Sequence, residues 1–399
     1  MTDTTTTANG ATALNQDTEL IERARSIQPL LGENAPWGDE HGELAPPVVD
    51  ALHDGRFFYM WVPQSMGGYE LSPTKSLQVI AELAYGDAST AWVLMAAGLA
   101  VGTGAAYLGD AAVEELFSGE RSPVIAGHGT RPGKAVAEEG GYSLSGSWQF
   151  ASGIKHSGWI HTAAIVEGSD PPDYRIFVLP VEQGNLIDNW DVMGLRGTGS
   201  IDYTIDGVHV DDAWCHSAVI FESPRGGGLY QLGIIGFAMI CHAGWALGVG
   251  RRMLDEFLAM MHKKAGRAGQ AMKSDALQQD YARAEAKYLS AKALIFETWN
   301  DIEASMERGE PLSTRQQTMM RLALYNMTWS VHEVCMFVYT RGGTTALRAG
   351  TIQRYFRDMH AGTQHVTSAP PILQAAGREL AGLAPNHQWI FLELVDTSA

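Results

Sequence analysis

The side chains best suited to chemistry lie in three short segments that mix glycine with hydroxyl, aromatic or histidine residues. In the first, residues 140–159, a glycine turn leads into a run that ends in Phe150, Ser152 and Gly153. A hydroxyl followed by glycine at the end of a strand can present an Oγ atom and a backbone N–H group to a flat ligand. Periodicity alone favours an ordinary hairpin, so the segment is a candidate binding edge that needs independent support.

The second segment, residues 190–210, is a glycine-rich loop with one cation and one hydroxyl: Gly194, Arg196, Gly197, Thr198 and Gly199. Glycines let a backbone approach a ligand closely, and successive amides can bind a phosphate or the edge of a flavin. A simple turn between two strands has the same composition. The segment therefore predicts a cofactor loop, with a plain β-turn as the alternative.

The third segment, residues 340–366, combines a glycine pair and charged residues with His360 and His365. The ordinary pKa of histidine lies nearest neutrality, which suits acid–base chemistry, but a lone histidine is more often structural. His128 and His156 are weaker candidates, and a structural role is favoured for each. The His360/His365 spacing does not place both on one helical face, and the chain has no HExxH motif, so no metal site is predicted.

Composition and missing motifs exclude several function classes. The chain has 399 residues, a net charge of −17 and a sequence pI of about 5.1, which disfavours binding to nucleic acid or anionic lipid. No GxGxxG motif follows a predicted strand, so the chain lacks an NAD(P)H fingerprint and is not expected to reduce its own flavin. The segment GHGTRPGKA ends in Ala135 where a P-loop needs serine or threonine, which disfavours a nucleotide hydrolase.

The cysteines and the first residues predict a cytoplasmic protein. Cys215, Cys241 and Cys335 are odd in number and form no CxxC pair, which suits reduced thiols. Residues 1–16 lack the basic and apolar regions of a signal peptide, and their composition predicts a flexible polar tail.

Hydrophobic periodicity predicts helices in the first part of the chain and strands in the next. A helical pattern covers Asp17–Leu31, and a second helix begins at Pro73 after the N-cap Ser72. Short alternating or apolar runs separated by glycine turns predict three strands, at Tyr142–Phe150, Trp159–Val166 and Arg175–Leu179. We therefore predict an N-terminal helical domain over residues 17–120 and a central β domain over residues 121–220.

The remainder, residues 221–399, is predicted to be a helical bundle. Apolar residues spaced by threes and fours run from Leu277 to Met306, and Ser313 with Gln316 forms a capping box before another long helix. Residues 226–250 carry no charge and are long enough to span a membrane. Their glycines and polar residues, His242 among them, lower the hydropathy, so a helix buried in a bundle is predicted instead.

Taken together, the segments resemble the acyl-CoA dehydrogenase superfamily, and more closely its oxygenase branch, the two-component (group D) flavin-dependent monooxygenases. The resemblance runs from about Leu20 to the C-terminus and rests on FASGIKHSGW, MGLRGTGS and RDMHAGTQH, in the family's order and at family-like spacing. It implies an N-terminal α-helical domain, a central β-barrel or sandwich domain and a C-terminal four-helix bundle, assembled as a homotetramer or homodimer.

The resemblance also implies roles for individual residues. Ser152 matches a hydroxyl that hydrogen-bonds the flavin near N5, beside an aromatic residue that matches Phe150. His365 matches a histidine over the flavin near the substrate and is the best acid–base candidate, with a pKa expected near neutrality. Many acyl-CoA dehydrogenases carry a glutamate where this chain has Ala361, so the base for desaturating an acyl-CoA is missing.

The implied function is hydroxylation of a phenolic or indole-type aromatic compound through a flavin C4a-hydroperoxide. It requires dioxygen and reduced FAD or FMN from a separate NAD(P)H:flavin reductase, and FAD is favoured. One alternative is an acyl-CoA dehydrogenase or a nitroalkane-oxidase-like flavoenzyme with another base. A second is a non-catalytic helical interaction protein on the same scaffold.

Overall fold

The computed structural model describes residues 18–220, 222–264 and 274–398. Helices come first, strands follow and helices return, as the sequence predicts. The predicted tail over residues 1–16 lies outside the described residues.

The N-terminal part is helical. Residues 18–26 form a first helical stretch. The helices after it are α1 (Gln28–His41), α2 (Pro46–Asp54), α3 (Pro73–Gly86), α4 (Ala88–Tyr107) and α5 (Asp110–Leu116). The pattern predicted to end at Leu31 thus continues to His41, where Gly42 closes the helix in a left-handed conformation. Ser72 occupies the predicted N-cap position of α3, but its side chain makes no capping hydrogen bond.

The central part contains one mixed sheet of seven strands in the order β5-β6-β2-β1-β3-β4-β7. The strands are β1 (Ile125–Glu138), β2 (Gly141–Trp148), β3 (Trp159–Val166), β4 (Tyr174–Pro180), β5 (Asn185–Ile187), β6 (Asp202–Asp211) and β7 (Cys215–Ser217). Strands β1 and β3 pair in parallel and the other neighbours pair antiparallel. The three predicted strands are confirmed as β2, β3 and β4, and within the described residues they belong to this single sheet.

In the described residues of the C-terminal part there are three long helices and three shorter ones. They are α6 (Gly233–Lys264), α7 (Asp275–Glu307), α8 (Thr314–Gly342), α9 (Thr344–Leu347), α10 (Thr351–Gly362) and α11 (Pro370–Leu380). A hairpin of β8 (His387–Ile390) and β9 (Glu393–Asp396) follows. The capping box is confirmed, because Ser313 accepts from Gln316 N–H while the Gln316 side chain reaches back to Ser313. Helix α8 packs against α6, α7, α10 and α11.

Within the residues that the structure describes, two helices are long and apolar enough to cross a membrane by length and composition alone, Ala88–Tyr107 and Gly228–Lys263. In the first, 83% of the apolar window is buried inside the protein, and in the second 94%. That burial is typical of a core helix, as predicted for the uncharged stretch over residues 226–250.

The hydrophobic cores of the protein bring together segments that are distant in the sequence. One large apolar cluster runs through both the N-terminal and the C-terminal helices, and a second lies within the sheet. A third joins α4 and α5 to β1 and β4. Because α4 contributes to both the helical core and the contact with the sheet, it holds the strand ends close to α6 and α10. The predicted domain boundaries stay predictions.

Candidate active site

A cavity of about 960 Å³ lies between the sheet and the helices. Its wall comes from α4, α6 and α8, from the start of β1, from the loop after β2, from residues 190–200 and from the end of α10 with the residues after it. In the part of the chain that the structure describes, the wall contains no Asp, Glu, Lys or Arg side chain. Histidine is therefore its only group that titrates near neutral pH.

All three predicted segments reach this cavity. Phe150 and Ser152 come from the first segment, Thr198 from the second and His365 from the third, and all four line the wall. They are far apart in the sequence, so the fold brings them together. Their placement supports the prediction that the segments form one site, and their individual roles stay predictions.

Ser152 sits on a sharp turn after β2. Phe150 has a left-handed backbone with φ 63° and is 59% exposed, and Gly153 has φ 82°. Only glycine adopts such a φ at little cost, which explains Gly153. Gly153 N–H donates to Thr198 O at 2.9 Å, so the turn is fixed to the 190–200 loop.

A row of hydroxyl groups connects the first two segments. Ser152 Oγ lies 2.7 Å from Ser200 Oγ, which lies 2.7 Å from Thr198 Oγ1. Thr198 Oγ1 donates to the carbonyl oxygen of Leu195 at 2.7 Å, and Trp92 Nε1–H donates to Ser152 Oγ at 3.1 Å. The three hydroxyl residues are buried. This row holds Ser152 at the cavity wall.

The 190–200 loop is held against α10. Leu195 N–H donates to Asp358 Oδ1 at 2.6 Å. A Cβ atom on Gly194 would lie 2.1 Å from the carbonyl oxygen of Arg357, so only glycine fits the close approach. Burial raises the pKa of Asp358 to about 7.

Other residues predicted to bind the cofactor lie away from the cavity wall. Arg196 donates from Nε to Asp39 O at 2.8 Å and from Nη1 to Val192 O at 3.1 Å, so its guanidinium fastens the loop to α1. Gly197 packs on Ser89 and Gly38, and Gly199 packs on Gly42 and Lys155. Gly153 likewise faces Val93 rather than the cavity. Their roles as flavin ligands stay predictions.

His365 has a defined tautomer. Its Nδ1 accepts from Thr367 N–H at 3.4 Å and lies 2.8 Å from Thr367 Oγ1. An Nδ1 that accepts is unprotonated, so in neutral His365 the proton is on Nε2. Burial, with a smaller contribution from His128, lowers the pKa of His365 to about 4. The expected pKa near neutrality is therefore wrong, because the wall removes the water that would solvate the imidazolium ion.

His242 on α6 belongs to the site, although sequence reasoning did not select it. Its ring lies against that of His365, with the centroids 3.9 Å apart and the planes tilted by 32°, and Trp92 packs edge-on against both rings. Burial, and then His365, lowers the pKa of His242 well below its ordinary value. A histidine inside the uncharged stretch over residues 226–250 was the available signal, because buried polar groups need a reason to be there.

Of the two weaker histidine candidates, one lies at the cavity wall and the other lies outside it. His128 lines the cavity, where its Nε2 lies 2.9 Å from Thr130 Oγ1 and burial lowers its pKa. His156 lies outside the wall, and its Nε2 accepts from Leu44 N–H at 3.0 Å. His156 therefore has the structural role favoured from the sequence, whereas His128 stays a candidate.

A second histidine pair, also missed from the sequence, lies on another part of the wall. The Nε2 atoms of His332 and His360 are 3.2 Å apart, and His360 Nδ1–H donates to Phe356 O at 2.7 Å. Among the residues described, no group of three or more His, Cys, Asp or Glu side chains is placed to hold a metal ion.

The site fits a flat heteroaromatic ring such as a flavin. The Phe150 ring is exposed at the rim, and the rest of the wall is mostly apolar, with Trp92 and Trp190 among its aromatic residues. Ser152 Oγ lies at the wall, where Trp92 Nε1–H donates to it at 3.1 Å and Ser200 Oγ lies 2.7 Å away. A large apolar cavity with a few fixed polar groups is the usual form of a cofactor or substrate site.

Comparison with known proteins agrees with this geometry. Among curated relatives, an indole-3-acetate monooxygenase of Pseudomonas putida is 26% identical over 360 residues, which cover 87% of this chain and 90% of the relative. The flavin-dependent monooxygenase oxygenase subunit HsaA of Rhodococcus jostii is 24% identical, with 88% and 94% covered. The solved structure of XiaF from Streptomyces sp. in complex with FADH2 and glycerol superposes with a TM-score of 0.82 at 20% identity, over 94% of this chain and 98% of XiaF.

Two family models match the chain. Residues 24–117 match the acyl-CoA dehydrogenase N-terminal domain, and residues 240–370 match the acyl-CoA dehydrogenase C-terminal domain. Together the two segments span more than half of the chain. The chain belongs to the acyl-CoA dehydrogenase superfamily, and the two curated relatives named above are monooxygenases by name.

Proposed function

We propose that this protein is the oxygenase of a two-component flavin-dependent monooxygenase and hydroxylates a small aromatic compound. One observation carries the proposal: a large apolar cavity without charged side chains brings together the hydroxyl of Ser152, the exposed ring of Phe150 and the neutral imidazole of His365. The relatives that resemble the chain over nearly its whole length are monooxygenases by name.

The wall also argues against the runner-up function. Desaturation of an acyl-CoA begins when a base removes the α-proton, a step for which the dehydrogenases use a carboxylate. Ala361 lines the cavity where many dehydrogenases carry that glutamate, and the described wall has no other carboxylate. A dehydrogenase would therefore have to use a histidine whose pKa is lowered, which makes it a poor base.

When bound, reduced flavin supplies electrons to dioxygen, so that one oxygen atom enters the aromatic ring and the other leaves as water. The chain's own residues would exclude water through the apolar wall and hold the flavin at Ser152. His365 would direct its Nε2–H towards an oxygen or nitrogen acceptor of the substrate, because Nδ1 is occupied by Thr367. Its role is then first that of a hydrogen-bond donor.

The finer assignments are also proposals. Electrons would come from a separate NAD(P)H:flavin reductase, since the chain has no dinucleotide fingerprint. We favour FAD over FMN, a phenolic or indole-type substrate, a homotetramer or homodimer, and a cytoplasmic location. The FADH2 in the XiaF structure and the indole-3-acetate named for the P. putida relative support the first two of these choices.

The test is a reconstituted reaction under ¹⁸O₂ with a flavin reductase, NADH, FAD or FMN, and a panel containing indole-3-acetate, resorcinol and substituted phenols. We expect one labelled oxygen atom in a hydroxylated product. Oxidation of an acyl-CoA or a nitroalkane instead would support the flavoenzyme alternatives. If no flavin raises the melting temperature of the protein in either redox state, the non-catalytic alternative is favoured, because a ligand of the native state must stabilise it.

A further inference from the structure

His161 on β3 is a buried histidine of the cavity wall that makes no hydrogen bond to the protein. It is 5% exposed and lines the cavity. In the part of the chain that the structure describes, neither nitrogen of its ring has a hydrogen-bond partner. His365 differs, because its Nδ1 lies 2.8 Å from Thr367 Oγ1. Buried polar groups in proteins are usually hydrogen-bonded, so an unpartnered imidazole at a cavity wall indicates a place where a ligand binds.

The alternation of side chains along β3 turns His161 towards the helices. Ile160 belongs to the core within the sheet, so it points to one face of β3. Ala163 lies on the other face, where it forms a cluster with Leu99 of α4 and Ile234 of α6. Both of these helix residues line the cavity. His161 is two residues before Ala163 and therefore faces the cavity and not the core of the sheet.

A glycine leaves room beside the His161 ring. Strand β1 pairs in parallel with β3 up to His128, and its register shifts between His128 and Gly133. Gly129 begins the segment that leaves the ladder, and it lines the cavity. A Cβ atom at Gly129 would lie 3.1 Å from His161 Nε2, and among the described residues beyond its chain neighbours it would meet only that ring within 4 Å. The absence of a side chain at position 129 therefore leaves Nε2 open to the cavity.

His161 meets a ligand as a neutral ring. Burial, followed by the nearby His216 and His128, lowers the pKa of His161 to about 3. Neutral imidazole has one N–H donor and one acceptor nitrogen, so it can bind a hydroxyl group, an N–H group or a carbonyl oxygen. It supplies no positive charge to a carboxylate, and the described wall contains no Lys or Arg side chain. A carboxylate beside His161 would lose its hydration without gaining an ion pair.

We infer that His161 determines substrate specificity by binding one neutral polar substituent of the aromatic substrate, such as a hydroxyl or an N–H group, at the sheet side of the cavity. The inference rests on the proposed function, which places an aromatic substrate in this cavity. A carboxylate in that place would be a buried unpaired charge, and a methyl group would leave the imidazole without a partner. An unsatisfied buried polar group changes a dissociation constant by about 5- to 150-fold.

Matched ligands measure this selection. Resorcinol, 3-methylphenol and 3-hydroxybenzoate share one phenol group and differ in a second substituent, which is a hydroxyl, a methyl or a carboxylate group. Indole-3-ethanol, 3-propylindole and indole-3-acetate form a second series of the same kind. Dissociation constants of the full-length protein are measured by calorimetry, with and without reduced flavin under anaerobic conditions. We expect the hydroxyl member of at least one series to bind about 5- to 150-fold more tightly than the other two members.

Two variants test His161 in different ways. His161→Leu removes both ring nitrogens, whereas Gly129→Ala places a methyl group over Nε2 and keeps the imidazole. Both should reduce the preference for the hydroxyl over the methyl member by about fivefold or more. His161→Gln keeps an amide near the position of Nε2 and should retain the preference. Gly158→Ala is the matched control, because Gly158 lies outside the cavity wall and its added methyl group would meet no described residue within 4 Å beyond its chain neighbours.

The inference is overturned if the parent shows the preference in neither series, or if the carboxylate member binds most tightly. It is also overturned if His161→Leu and Gly129→Ala leave the preference unchanged, which is the result expected if His161 only holds an ordered water molecule. If His161→Leu does not fold, Gly129→Ala decides, since it leaves the buried histidine in place.

The proposed function is tested separately by labelled product from the same compounds. If the parent hydroxylates them without any dependence on His161 or Gly129, the proposed function stands and only this inference fails. If the parent neither binds nor hydroxylates any of them, the proposed function fails and this inference fails with it.

Discussion

Substitutions of His365 distinguish a hydrogen-bond donor from a general base. Because Nδ1 is held by Thr367, the neutral ring offers Nε2–H to the cavity. Glutamine can place an amide N–H near the position of Nε2, whereas alanine cannot. Loss of a donor to a buried acceptor costs about 1–3 kcal/mol, or about 5- to 150-fold in rate. Loss of a general base costs about 100- to 10,000-fold.

We therefore expect His365→Ala to lower kcat/KM for hydroxylation by about 5- to 150-fold, and His365→Gln to stay within about tenfold of the parent. The assay follows labelled product and hydrogen peroxide together, with reduced flavin supplied in excess so that flavin delivery does not limit the rate. His156→Gln is the control, since His156 is a half-buried histidine outside the cavity whose Nε2 acceptor can be replaced by the glutamine oxygen.

The pH profile gives an independent check on His365. Its pKa of about 4 lies below the ordinary value of about 6.5, so the ring stays neutral throughout pH 6–9. The rate should show no acidic limb from this group near pH 6.5. Two results would refute the argument: an acidic limb near pH 6.5 that His365→Gln abolishes, or a His365→Gln variant that is as inactive as His365→Ala.

Three further predictions concern the supply of electrons and the stability of the site. The purified chain with flavin should oxidise neither NADH nor NADPH, and steady loss of absorbance at 340 nm without a reductase would contradict this. Gly194→Ala should lower the melting temperature and weaken flavin binding, because its Cβ would lie 2.1 Å from Arg357 O. An unchanged melting temperature would show that the 190–200 loop can move to make room for the methyl group. The pKa of Asp358, about 7, is raised above its unfolded value, so its burial costs stability increasingly as pH rises from about 4 to 7. Asp358→Asn should therefore gain in melting temperature over the parent between pH 4 and pH 8, and a constant difference would refute the pKa.

Local patterns predicted the elements well because they depend on neighbours in the sequence. Strand β3 has the predicted bounds, and the helix predicted from Leu277 to Met306 lies within α7. The capping box is equally local. The predicted end of the first helical pattern, Leu31, was wrong. Two helical stretches follow one another, and the second, α1, contains Pro36 and continues beyond it. The order of the seven strands in one sheet depends on pairing between strands that are distant in the sequence. The alternation of residues within a single strand does not encode that pairing.

The site was predicted in part for the same reason. Ser152, Thr198 and His365 stand in recognisable segments, and all three reach the cavity. His242 comes from the uncharged part of α6, and its contact with the His365 ring depends on how α6 packs against the end of α10. The contact that Arg196 makes with α1 is an example of what the sequence could not show. Its acceptor Asp39 O lies 157 residues away, and nothing near Arg196 in the sequence indicates that contact.

The charged residues around the cavity and its neutral wall have a common physical role, which is to keep water and protons away from the reacting atoms. Arg357 pairs with Asp39 at 2.7 Å and donates to Met193 O at 2.8 Å, while Asp358 accepts from Leu195 N–H. These contacts hold the 190–200 loop from its outer side, and the loop presents only neutral groups to the cavity. A charged wall would bind water and carry protons to the reacting atoms, and oxygen transfer from a flavin requires that both be kept out. The same exclusion of water keeps His242 and His365 neutral. The neutral wall and the role of His365 as a hydrogen-bond donor therefore have the same cause.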